Sequence, residues 1–430
     1  MKSGKKVKIA IIGGGAAGMI AAATILEEWK NSAYEVHLFE KNKRLGVKVA
    51  ISGGGRCNVT TGINDRNILL KKYVRGANFL KFALAAFPPL KVREWFEKHG
   101  VPLKEEVDKR VFPVSDRGQD IIKVFENIFS DKHIHLHYLE GIIEVRPLKD
   151  NSETGFMLRS AKSEYLDDYL VITSGGNAYS KTGSSGDGYS FAKSLGHMVT
   201  ELGPSLNSFI VSGDLCPKLQ AISFNNAKLE TKLESGKKVS IAGAMIFTHF
   251  GISGPAVFEL AAHLAFEKIT PDSSLIINFS PESTMNFTDW DEAITGKIKA
   301  SSSRAIVNIL AEFLPKRFIE ELLSLLKLKN VTGAVLTKAQ RRQIIHNLTG
   351  RLTLTVTGRR PGDEFITAGG VSLEEIEAKT MRSRLLENLY FAGEVLDVDG
   401  VTGGFNLQSA WATGRLAGLD IVQRTGNSES

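Results

Sequence analysis

The chain has 430 residues, 43% apolar and 23% charged, an ordinary globular composition with length for two or three domains. No apolar run reaches about 18 residues, so no membrane-spanning helix is expected. The two cysteines, Cys57 and Cys216, cannot supply a disulfide framework or a four-ligand zinc site. Lys and Arg number 54 against 47 Asp and Glu, a net +7 that admits acidic partners without requiring them.

The N-terminus, MKSGKKVKIAII, has the basic start of a signal peptide. Its apolar run is short and leads straight into a glycine-rich turn that cleavage would destroy, so a cytoplasmic protein is expected. Val7 to Ile12 is apolar and β-branched, as a buried parallel strand requires. It ends in Gly13-Gly14-Gly15-Ala16-Ala17-Gly18, which fits G-x-G-x-x-G, and an Ala-rich helix follows. Gly13 permits the tight turn, Gly15 lets backbone approach a pyrophosphate, and Gly18 lets the helix pack on the strand. The helix start, with the amides of Ala16 and Ala17, offers N–H groups to phosphate. Glu35 to Phe39 reads as a second strand, ending at Glu40, an acceptor for ribose hydroxyls. Strand, glycines, helix, strand and acid in this order predict a dinucleotide site.

Lys41 to Lys48 is basic, and Ser52 to Asn58 (SGGGRCN) is a second glycine-rich loop outside the dinucleotide pattern. Residues 78–130 read as helical around Pro88-Pro89, with a polar interruption at 108–118. His133, His135 and His137 alternate. We read them as one side of a half-exposed strand with Ile134, Leu136 and Tyr138 inward, because no carboxylate or cysteine accompanies them in sequence; no metal ligand is assigned. A hairpin at 156–173 leads into Ser174-Gly175-Gly176-Asn177. From about 197 the pattern changes: strands at 206–212, 221–233, 238–249, 274–280 and 351–360, and helices at 255–267, 304–327 and 338–348. Residues 365–430 return to the first pattern, with a strand at 388–392 and a last helix from about 405 to 424.

In chain order, GGGAAG with Glu40, ISGGGRCN (51–58), TSGG (173–176), THFGISGP (248–255), TAGGV (367–371) and FAGEVLDVDGVTGGFNLQSAW (391–411) resemble the HI0933-type, or BaiN-like, family of FAD-dependent oxidoreductases. The resemblance implies an α/β fold: a Rossmann-type FAD-binding domain of the two-dinucleotide-binding-domain flavoprotein kind, built from residues 1–196 and 363–430, with an inserted β-barrel and helical domain at 197–362. It implies that Gly13, Gly15 and Gly18 take the FAD pyrophosphate and Glu40 the adenosine ribose. Arg56, Cys57 and Asn58 would lie along the flavin side, Gly393 and Glu394 near the ribityl chain and pyrophosphate, and Gly404, Phe405 and Asn406 at a helix start facing the flavin pyrimidine. Lys41, Lys48, Gly54, Ser174 and Gly175 complete the expected cofactor-binding set. The family commonly has Tyr where Phe405 stands.

Three residues are candidates for chemistry. Cys57 has Arg56 beside it to favour the thiolate, but with no second cysteine nearby a packing role is the plainer reading. His249 and Ser253 are alternatives for acid–base work; equally, Pro255 suits a helix start after Ser253 or Gly254, with His249 in the core. Arg341, Arg342, Arg351, Arg359 and Arg360 are expected on a solvated face, since no aromatic residue interleaves with them in sequence.

The expected function is therefore FAD-dependent oxidation or reduction of an unidentified small molecule. The alternatives are an FAD-dependent tRNA-modifying protein, which keeps nucleic acid open as a partner, and a flavin-binding sensor without turnover. One complete fingerprint leaves NAD(P)H, as electron donor, only a transient site at the flavin. No membrane partner is expected, and the sequence sets no oligomeric state.

Overall fold

The computed structural model describes residues 6–30, 33–148 and 155–426, so the basic residues 1–5 lie outside it. Two compact units form, Met1–Gly203 with Phe365–Ser430, and Pro204–Glu364. Residues 197–203, expected in the insertion, belong to the first unit. Thr200 N–H donates to the Gly370 carbonyl at 2.9 Å, which ties them to the returning chain.

The first unit begins with β1 (Val7–Ile12), α1 (Ala16–Glu28) and β2 (Tyr34–Glu40). Then come β3 (Ile134–Tyr138), an antiparallel trio β4 (Ile142–Pro147), β5 (Phe156–Ser160) and β6 (Glu164–Asp167), β7 (Tyr169–Ile172), and α2 (Asp187–Ser194). Between β2 and β3 lie helices Pro89–Lys98 and Gly118–Ile128, with strand Arg110–Pro113 inside the stretch read as a polar interruption.

The second unit holds β8 (Phe209–Val211), β9 (Ser223–Lys232), β10 (Lys238–Phe247), β11 (Gly251–Ser253), α3 (Pro255–His263) and β12 (Leu275–Ser280). Four helices follow, α4 (Phe287–Ala300), α5 (Ile306–Leu310), α6 (Lys316–Leu325) and α7 (Lys338–His346), before β13 (Leu352–Arg359). The strands close a barrel in the order β8-β11-β10-β9-β12-β13, every pair antiparallel. Phe209, Phe247 and Phe279 fill its apolar core. Helix α4 has no counterpart in the sequence reading; Asn286 caps it in a capping box with Asp289. The single helix expected at 304–327 is two: one ends at Leu310, and Pro315 caps the start of the next.

The chain then returns to the first unit with β14 (Leu389–Phe391) and α8 (Phe405–Gly426). Among the described residues the central sheet runs β14-β7-β1-β2-β3, all parallel, as the continuous apolar runs require. The long helices α1 and α8 cross closely. A Cβ on Gly414 would lie 2.3 Å from the Ala17 carbonyl oxygen, and one on Gly418 2.8 Å from that of Ala21.

The alternating histidines separate. His133 pairs with Asp131 at 2.7 Å, and His137 stacks on Phe39 at 4.5 Å. His135 stands beside His37, and Glu35 lies two residues earlier on the same strand. Carboxylates do accompany them: Asp131 and Glu140 from their own segment at His133 and His137, and Glu35 from the neighbouring strand beside His135.

Crossing and open glycines should respond in opposite directions. Gly414→Ala forces a methyl group into backbone and should cost about 1–3 kcal/mol. Gly296→Ala in α4 meets nothing within 4 Å and should add about 0.5–1 kcal/mol. Urea unfolding of both variants checks this; equal effects would mean the crossing is looser than described.

Candidate functional site

The glycine turn is fixed by backbone contacts. Gly13 has φ +107°, and a Cβ there would sit 2.6 Å from the Thr173 carbonyl oxygen. A Cβ on Gly18 would lie 1.9 Å from the Gly13 carbonyl oxygen, so α1 rests directly on the end of β1. The Thr173 hydroxyl donates to the Ile12 and Gly13 carbonyls at 3.0 and 2.9 Å. Gly15 differs: a Cβ there meets nothing within 4 Å among the described residues. Gly15 caps α1 without a side-chain hydrogen bond, and the first turn carries no acid. The Ala16–Ala17 end of the helix therefore lies beside the open Gly15, with no side-chain cap and no acid in its own first turn.

Glu40 closes the next strand, 8% exposed. Its Oε2 accepts from Gly14 N–H at 2.9 Å, and its Oε1 accepts from the backbone and side-chain amides of Asn42, both at 2.7 Å. It thus ties the glycine loop to β2.

The two ends of the chain meet here. A Cβ on Gly393 would touch the Ala17 methyl at 2.8 Å, and Gly393 N–H donates to Thr413 Oγ1 at 3.0 Å. Glu394 pairs with Lys48 at 2.8 Å and accepts from Thr367 N–H at 3.1 Å. The Thr367 hydroxyl in turn accepts from the amides of Asn177 and Ala178 at 2.7 and 3.1 Å. Ser174 is half-buried, with its hydroxyl packed against Gly188 at the start of α2. Gly175 has φ +77° and faces Ser184. Lys41 pairs with Asp187 at 2.7 Å and with the Ser185 hydroxyl.

In the second glycine loop Gly53, Gly54 and Gly55 all have positive φ, and Gly54 and Gly55 are open on the side a Cβ would occupy. The Arg56 guanidinium carbon lies over the Phe112 ring, 3.8 Å from its centroid, and Arg56 pairs with Glu106 at 2.7 Å. Cys57 is wholly buried at φ 60°. Burial pushes its thiol up to about 12, opposed in part by a hydrogen bond to Ser52. The lowering expected from Arg56 does not occur, since that guanidinium is held by Glu106 and Phe112.

The start of α8 is locked to the same loop. A Cβ on Gly404, at φ +89°, would lie 2.4 Å from the Thr60 carbonyl oxygen and 3.0 Å from Asn58 Oδ1. Phe405 is buried, and its carbonyl accepts from Tyr73 Oη at 2.9 Å. Asn406 exchanges two 2.8 Å hydrogen bonds with the Gly400 backbone. Thr60 donates to Gln408 at 2.5 Å, and Trp411 Nε1 to the Val59 carbonyl at 2.9 Å. Thr60, Tyr73 and Thr367 have roles the sequence reading did not assign. Only TAGGV, at Thr367, carried any signal for one of them.

In the second unit, Pro255 does begin α3, capped by Gly254. His249 is exposed against the edge of Phe250, not in the core. Ser253 Oγ lies 2.9 Å from Ser208 Oγ. The arginines are not one solvated face. Arg359 is tucked against the Leu264 and Glu267 carbonyls, and Arg341 pairs with Asp291 at 2.8 Å. Arg360 covers Phe250 at 4.2 Å, an aromatic contact invisible in the linear sequence.

A sequence model of the HI0933-like protein Rossmann domain matches residues 7–420. The chain belongs to the HI0933-like family. It is a FAD-dependent oxidoreductase. Among its relatives, a 3-dehydro-bile acid delta(4,6)-reductase of Clostridium scindens is 29% identical over 97% of this chain and 99% of its own. A ribosomal RNA dihydrouridine synthase of Escherichia coli is 30% identical over 96% and 97%. Among solved structures, a 3-ketosteroid-delta4-(5alpha)-dehydrogenase from Rhodococcus jostii shares the fold, with TM-score 0.51 at 13% identity over 98% of both chains. FAD fits the residues present: the open Gly15 and the uncapped helix start leave a cradle for a pyrophosphate. No helix among the described residues is long and apolar enough to cross a membrane.

Both thiols should be inert in the native protein. Cys216, like Cys57, is pushed up to about 12 by burial, so at about pH 8 only some 1 in 10,000 is thiolate. Iodoacetamide followed by mass spectrometry should label neither cysteine until denaturant is added. Rapid native labelling of Cys57 would restore it as a reactive group.

Proposed function

We propose that the enzyme saturates a carbon–carbon double bond conjugated to a carbonyl group in a small molecule. The observation that carries this reading is the likeness, over nearly the whole chain, to two enzymes whose names share that chemistry. One is a delta(4,6)-reductase of a 3-oxo bile acid, and the other turns uridine into dihydrouridine. When bound, reduced FAD would supply the electron pair and one hydrogen for this reduction, and the protein would supply the proton that completes it. NAD(P)H restores the pair as a transient donor.

The chain's own residues bind and position. We assign the pyrophosphate to Gly13, Gly15, Gly18 and the amides of Ala16 and Ala17, with Gly14 held in place by Glu40. We assign the adenosine ribose to Glu40 and the ribityl region to Gly393 and Glu394, with Lys48 steadying Glu394. Arg56, Asn58, Gly404, Phe405 and Asn406 shape the flavin end; the Asn406–Gly400 bonds support the loop rather than the substrate. Lys41, Gly54, Ser174 and Gly175 complete the set. His249 and Ser253 stay candidates for acid–base work, Ser253 Oγ lying 2.9 Å from Ser208 Oγ.

A second reading, reduction of a uridine in ribosomal RNA, is supported by the 30% identity to the E. coli synthase. One anaerobic experiment separates the two. Photoreduced enzyme is mixed with a 3-oxo-4,6-diene steroid or with ribosomal RNA lacking dihydrouridine, and flavin reoxidation is followed. Fast reoxidation by the dienone, with a saturated product, is expected. Reoxidation by RNA alone would favour the second reading, and inertness towards both, with an artificial dye still accepting electrons, would reject the reaction.

The ribose assignment has its own test. Glu40→Ala should weaken FAD binding by about 1.5–3 kcal/mol, tenfold or more. Asn42→Ala removes only Glu40's neighbour and should cost much less. FAD retained on dialysis by Glu40→Ala as by wild type would remove Glu40 from the site.

A further inference from the structure

On the half of β2 away from Glu40, a second group of side chains gathers. Parallel pairing sets His37 directly beside His135 on β3, and Glu35 shares the His37 face by strand alternation. One Glu35 oxygen and one ring nitrogen from each histidine lie within 4.8 Å of one another. The two imidazoles stand edge to face, centroids 5.1 Å apart. Behind them, Asp167 Oδ1 lies 3.6 Å from His37 Nδ1. Asp167 is 2% exposed, and neither of its carboxylate oxygens has a hydrogen-bond partner among the described residues. A buried carboxylate left this way is costly unless something positive stands in front of it.

We propose that Glu35, His37 and His135 ligate a divalent transition-metal ion of the zinc class, with Asp167 orienting His37 from behind. Two imidazoles and a carboxylate suit zinc, with a water in the remaining position. A carboxylate on the far nitrogen of a ligating histidine fixes the ring and raises its basicity. With Nδ1 turned to Asp167, Nε2 is the nitrogen left for metal. Bonds of about 2.0–2.2 Å put tetrahedral ligand atoms roughly 3.3–3.6 Å apart, so from separations of up to 4.8 Å the set must close by as much as about 1.5 Å. His135 is exposed and Glu35 half-buried, so side-chain rotation can provide this. The competing partner is Lys6, 2.8 Å from Glu35 Oε1 and itself half exposed; such a surface pair is weak, and Oε2 remains for the ion.

The test uses the full chain without an affinity tag, carrying its FAD and stripped by a chelator. Zinc titrated in a calorimeter should reveal a single saturable site per chain. His135→Asn should weaken it by about tenfold or more, and Asp167→Asn by about 10–100-fold, with FAD content unchanged. His133→Asn, outside the cluster, should bind as wild type does. Absence of saturable zinc binding in the wild type, or His135→Asn binding equally well, would overturn the site. Wild-type affinity in Asp167→Asn would remove Asp167 from it.

Discussion

The contact on which the cofactor unit depends is backbone against backbone: the Gly13 carbonyl sits where a Cβ on Gly18 would be. It fixes where α1 starts relative to β1, and so where the amides of the first turn point. Other close contacts hold the same geometry. Thr173 bonds the carbonyls of Ile12 and Gly13 from the adjacent strand. Gly393 meets Ala17, and Gly414 admits the Ala17 carbonyl from α8. Small residues recur along α1 and α8 because each larger side chain would push one backbone away from the next.

Three of the cations around the glycine loops are already paired. Lys41 has Asp187, Lys48 has Glu394, and Arg56 has Glu106. In the proposed site the phosphates would then rely on neutral amides and a helix dipole, whose orientation is set when the protein folds. Such a site gains less from a bulk field of lysines than the net +7 suggests.

The central fold was legible because its signals are local. Val7–Ile12 and Gly13–Gly18 declare strand, turn and helix within a dozen residues, and 391–411 announces the return of the chain. Contacts spanning the whole sequence were not legible. Thr60 and Gln408 are 348 residues apart, and nothing in either segment predicts their hydrogen bond. The histidines show the same limit: alternation placed them on a strand, but only the register against β2 shows that His135 stands beside His37. Helix α4 was missed because its polar opening turn hid the capping box. For Cys57 the neighbouring Arg56 left an activated thiol open in the linear sequence, and burial supports the packing role that the lone cysteine already favoured.

The placement of β14 and α8 after the insertion has a consequence during synthesis. Strand β7 has its partner β14, and α1 its cover α8, only after Pro204–Glu364 has been made. The barrel unit, contiguous in sequence, has all its strands available earlier. On the ribosome, where domains fold as their residues emerge, the middle of this chain is free to fold before its beginning. Until then the apolar faces of β7 and α1 remain uncovered, the interval in which a nascent flavoprotein of this topology is most exposed to aggregation and chaperone capture.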